Sequence, residues 1–79
     1  MKVIVGNRAE NISPQMLDLL ESAFEAIDDS TTVDARIYAD AIVDCLKLGL
    51  LKLGGTLADG RLELTDLGYI VLRDVKEAK

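Results

Sequence analysis

The chain has 79 residues, of which 49% are hydrophobic and 29% charged, and nine basic against fourteen acidic side chains leave a net charge of −5. That length holds a single domain over residues 1–79 with one small core, the composition excludes a disordered chain, and the acidic balance opposes non-specific binding to phosphate backbones. One Cys excludes an intramolecular disulfide, and no apolar run approaches the roughly 20 residues that span a bilayer, so no membrane partner is expected.

Lys2 to Val5 is rich in β-branched side chains and ends at Gly6-Asn7, the pattern of a short strand and a turn. The opening stretch MKVIVGNRAE is too short in apolar residues for a signal peptide, so a cytoplasmic protein is expected. The first helix starts at Ser13, whose hydroxyl can accept from an orphan amide, with Pro14 in the first helical position where its missing N–H is harmless. Met16, Leu17, Leu20, Ala23, Phe24 and Ile27 then recur at steps of three and four and are expected to face the core, with Ile12 packing on Leu17 as a staple. Asp18, Glu21, Ser22 and Glu25 face outward.

Residues 28 to 32 form a polar loop. No Gly or Pro interrupts Val33 to Leu48, and Arg36, Asp40, Asp44 and Lys47 fall on one stripe, which predicts a single continuous helix. Val33, Ile37, Tyr38, Ala41, Ile42, Cys45 and Leu46 are expected on its buried side. Gly49 stops it in a left-handed conformation. Leu50 to Leu53 and Arg61 to Leu64 read as a hairpin with turn signals at Gly54-Gly55 and Asp59-Gly60. Leu51, Leu53, Leu62 and Leu64 would point inward, and Lys52 and Glu63 would pair outside. The run Val3 to Val5 would add a third strand to this ribbon. Thr65 caps the last helix, Asp66 suits its dipole, and Leu67, Ile70, Val71 and Val75 supply the apolar face. Arg73, Lys76 and Lys79 lie toward its C-terminal end, which the dipole also favours.

Catalytic chemistry has little to work with. There is no His, and Cys45 sits in the apolar stripe without a cation to activate it, so a buried structural thiol is expected. Neither the Asp28-Asp29 pair nor Asp40 with Asp44 supplies the alternating oxygens of a calcium loop, and Gly54-Gly55 is not followed by the helix of a phosphate loop. No enzyme activity, cofactor or metal is expected.

Residues 41 to 72, AIVDCLKLGLLKLGGTLADGRLELTDLGYIVL, resemble the second half of winged helix-turn-helix proteins. The pieces are Leu48-Gly49-Leu50, the hairpin from Leu51 to Leu64 as the wing, and Leu64-Thr65-Asp66-Leu67-Gly68 opening the last helix. The resemblance implies a small winged-helix-like α+β domain of order β-α-α-β-β-α. The first half departs from it, because Thr32 to Gly49 offers one helix where DNA readers have two.

Asp34, Asp40 and Asp44 occupy the place of the basic reading helix, so the leading expectation is a non-enzymatic module that binds a protein partner with a basic surface. An inhibitor or adaptor acting on a nucleic-acid-handling protein is its sharper form. The alternative is a dimeric DNA-binding transcriptional regulator contacting the duplex through Arg36, Lys47, Lys52 and Arg61. A homodimer fits both, since the short first strand leaves an edge and the small core an apolar margin.

Overall fold

In the computed structural model, which describes residues 1–26, 30–32, 34–54 and 61–77, eight elements follow one another. They are β1 (Lys2–Val5), β2 (Arg8–Asn11), α1 (Pro14–Glu25), β3 (Ser30–Thr31), α2 (Ala35–Leu48), β4 (Leu51–Gly54), β5 (Arg61–Leu64) and α3 (Asp66–Glu77). The fold is α+β, as expected, with two short strands beyond the expected order. Ile27, Asp28-Asp29, Val33, Gly55, Asp59-Gly60 and Lys79 lie outside the described residues.

The first strand does not join the ribbon. β1 pairs antiparallel with β2, Val5 against Arg8 and Lys2 against Asn11, around a two-residue turn in which Gly6 takes a φ of +66°. A left-handed residue lets a local hairpin close at little loop entropy, and this outcompetes a distant pairing. The third strand of the ribbon is β3 instead. Its sheet has the order β3-β5-β4, with Thr31 opposite Leu62 and Leu51 opposite Leu64.

α1 begins as its sequence dictates: the Met16 amide donates to Ser13 Oγ at 3.2 Å, and the Ser13 amide reaches back to Met16 Sδ. Met16, Leu19, Leu20 and Ala23 of α1 meet Ala41 and Cys45 of α2, Leu51 and Leu62 of the sheet, and Val71 and Leu72 of α3 in one aliphatic core. Ile12 and Val5 close its near end. Four residues expected inside are outside: Phe24, Ile37, Leu53 and Ile70. Leu53 is exposed although it stands directly opposite buried Leu62.

α2 and α3 are joined by a clasp. Gly49 ends α2 at φ +76°, and the Leu50 amide donates to the Cys45 carbonyl at 2.9 Å. The Thr65 hydroxyl proton lies between the Gly49 and Leu50 carbonyl oxygens, while its oxygen accepts from the Gly68 amide at 3.0 Å and so caps α3. The Thr65 amide also donates to the Leu50 carbonyl. Gly68 is required for contact, because a Cβ there would run into the Leu50 carbonyl oxygen. Leu48-Gly49-Leu50 and Thr65 to Gly68 are thus two halves of one joint, with the hairpin between them.

Candidate functional site

The outer face of α2 is built from its first residue. Asp34 caps the helix, its carboxylate accepting from the Arg36 amide at 2.9 Å and from Arg36 Nε at 3.3 Å. The Arg36 guanidinium, and next its amide, hold the Asp34 carboxyl below the usual carboxylate range. Asp34 is thereby committed to the cap and to Arg36, both exposed.

Tyr38 then leaves helical geometry, at φ −108° and ψ 16°, in a span that contains neither Gly nor Pro. This kink corrects the expectation of one regular helix and explains Ile37. Counting back four from buried Ala41 puts Ile37 inside, but the phase is lost across Tyr38, and Ile37 is 63% exposed. Tyr38 itself packs against the core.

Beyond the kink, the outward stripe is Asp40, Val43, Asp44 and Lys47, with Val43 47% exposed. Asp40 and Asp44 stand one turn apart and make no ion pair among the described residues. The result is an outer face beyond the kink that carries Val43 between Asp40 and Asp44, with exposed Ile37 on the turn before it. Asp44 and Lys47 also border a shallow polar cleft of 330 Å3 with Glu10, Asn11, Met16 and Leu48.

Of the four cations of the DNA alternative, Lys52 and Arg61 share one face of the hairpin, while Arg36 and Lys47 stand far apart along α2. Arg36 is bonded to Asp34, and Lys52 faces Glu63 across the hairpin at 3.9 Å, as its register implied. Arg61 lies two residues from Glu63 on the same strand face, and Lys47 lies eleven residues along α2 from Arg36, about 16 Å of helix.

Cys45 is fully buried, and that burial, with the charge of Asp44 second, pushes its thiol up to about 11. At neutral pH it is a protonated core side chain. Among the described residues, no group of three acidic or Cys side chains could hold a metal ion, and no helix is long and apolar enough to cross a membrane.

A second surface went unread in the sequence. The Phe24 ring on α1 lies 5.6 Å from the Tyr69 ring on α3, with Lys76 Nζ 4.8 Å above Phe24, at a recess of 110 Å3 that Leu72 and Arg73 also line. The signal was available: five of the six residues from Leu67 to Leu72 are large and apolar apart from Gly68, more than one helical stripe can bury. Val71 and Leu72 take the core, and Tyr69 and Ile70 are left outside.

The class that fold and surface define is a small α+β domain with an acidic, partly aliphatic helix face. Comparison with protein families, with characterised proteins and with solved structures found no match.

Proposed function

We propose that the chain is a cytoplasmic, non-enzymatic protein-interaction module on a winged-helix-like frame, docking a partner with a basic and apolar surface on the outer face of α2. Asp40 and Asp44 meet the partner's cations, Ile37 and Val43 meet its apolar side chains, and Asp34 with Arg36 shapes the leading edge. The observation that carries this reading is the exposure of Val43 between Asp40 and Asp44 and of Ile37 on the turn before them. Aliphatic side chains gain from leaving water only against another apolar surface, and carboxylates repel a phosphate backbone, so the combination suits a protein and opposes a duplex. A nucleic-acid-handling protein is the partner class that presents such a basic surface, and occupying it makes this chain an inhibitor or adaptor. The frame is supported by the β4–β5 hairpin set between the Gly49 stop of α2 and the Thr65 cap of α3.

The test is a pair of titrations read by amide NMR, one with a helical Lys/Leu peptide and one with random-sequence duplex DNA at low salt. The peptide is expected to move the amides of residues 37–47, and Asp40→Lys with Asp44→Lys to weaken it by roughly tenfold or more. Peptide shifts confined to other elements overturn the reading. Duplex binding that fades with salt overturns it in favour of the regulator, with Lys47, Lys52 and Arg61 on the DNA.

A further inference from the structure

We propose that α3 is a self-docking helix: a second copy of this chain packs its own α3 antiparallel against it across a two-fold axis, centred between Tyr69 and Ile70.

The argument starts from which α3 residues face out. Asp66, Tyr69, Ile70 and Arg73 are all exposed, the two apolar ones at 44% and 41%, while Gly68, Val71, Leu72 and Val75 are buried. Their spacing of three, one and three puts the four on a single stripe two turns long, about 10 Å. Over those two turns the order is acid, apolar, apolar, base; exposed Glu77 continues the stripe one turn on, and Asp74 beside it pairs with Arg73 at 4.0 Å. Turned end over end, the order becomes base, apolar, apolar, acid, which is its complement.

A two-fold interface imposes that condition, because each copy presents the same patch and the patch must fit itself. With the helices antiparallel, Asp66 of one copy meets Arg73 of the other twice over, and Tyr69 meets Ile70 twice over. A parallel arrangement would set Asp66 on Asp66 and Arg73 on Arg73. The helix dipole already favours an acid first and a base last, and the same order is the one that an antiparallel second copy can pair.

Two further observations fit the same occupant. The chain as a whole carries −5, yet α3 carries only −1, from Asp66, Asp74 and Glu77 against Arg73 and Lys76, so two acidic copies approach here with little repulsion. Beside the stripe, the Phe24–Tyr69 pair widens the apolar area onto α1, and Phe24 is itself 39% exposed. The recess of 110 Å3 bordered by those rings opens next to Tyr69, where the antiparallel arrangement brings the partner's Ile70. Lys76 sits over the Phe24 ring, which keeps that cation out of the stripe.

The experiment is sedimentation equilibrium on the whole chain, with helical circular dichroism as the check on folding. The wild type is expected to approach twice the chain mass as concentration rises. Asp66→Arg alone and Arg73→Asp alone each place like charges at both ends of the stripe and should fall to the single-chain mass. Mixed in equal amounts, these two variants restore both ion pairs, and the mass should return to double. That recovery requires both partners to be folded, so it separates a broken interface from a broken chain. Ile70→Asp should be monomeric alone and in every mixture. A wild type that stays at the single-chain mass overturns the proposal, as do single charge variants that remain dimeric or a variant mixture that stays monomeric.

Discussion

The joint between α2 and α3 and the leading turn of α2 are made in opposite ways. At the joint, the Leu50 carbonyl receives Thr65 through both amide and hydroxyl, the Cys45 carbonyl receives Leu50, and Leu50 itself is wholly buried. At the leading turn, Asp34, Arg36 and Ile37 are exposed, and the helix kinks one residue later. The first region is overdetermined by backbone contacts, and residue types there are dictated by geometry. In the second, only the cap is dictated, and the side chains are free to serve a surface. Backbone bonding and an exposed surface are thus held by different turns of neighbouring elements.

The largest test of that division is Gly68→Ala. Its methyl would meet the Leu50 carbonyl oxygen, backbone that cannot turn aside, and a loss of about 3 kcal/mol or more is expected in urea unfolding. A loss under about 1 kcal/mol would show a joint that yields, and the contrast would be broken.

Next comes the thiol under the joint. The folded chain holds the Cys45 proton up to about 11, whereas the unfolded chain releases it near the ordinary 9.0. Its contribution is therefore complete below pH 9.0 and is lost as pH rises toward 11, by about 2 kcal/mol. Urea midpoints measured across that range should fall more steeply in the wild type than in Cys45→Ala, and parallel slopes would remove Cys45 from the account.

Thr65→Val keeps the shape and removes the hydroxyl that caps α3 and bridges to Gly49 and Leu50. A loss of about 1–2 kcal/mol is expected, with Thr65→Ser recovering most of it. At the small end, Ile37→Ser and Val43→Ser should leave stability within about 0.5 kcal/mol of the wild type while weakening the Lys/Leu peptide. Should Ile37→Ser unfold the chain, the leading turn of α2 would belong to the core after all.

The elements differ in how far they could be read from their residues. Ser13-Pro14, Gly49 and Thr65 announce helix ends because each supplies a backbone service few residues can, and all three act as read. The Lys52–Glu63 pair followed from strand register alone. β2 was illegible, since Arg8, Ala9, Glu10 and Asn11 carry little strand preference and pair because Gly6 turns the chain. β3 is two residues of a polar stretch, made a strand only by β5 beside it. For the candidate surface, the charges of Asp40 and Asp44 were legible, but their aliphatic neighbours were not. Ile37 was hidden by a kink that no Gly or Pro foretells, and Tyr69 and Ile70 by a helix apolar on too many sides.

The kink at Tyr38 also separates two sets of substitutions. Because it uncouples the phase of the leading turn from the buried stripe of Ala41 and Cys45, changes at Arg36 and Ile37 need not be matched by repacking inside. Substitutions in that turn are therefore expected to change the surface and not the core, while those at Gly49 and Thr65 act on the joint between α2 and α3.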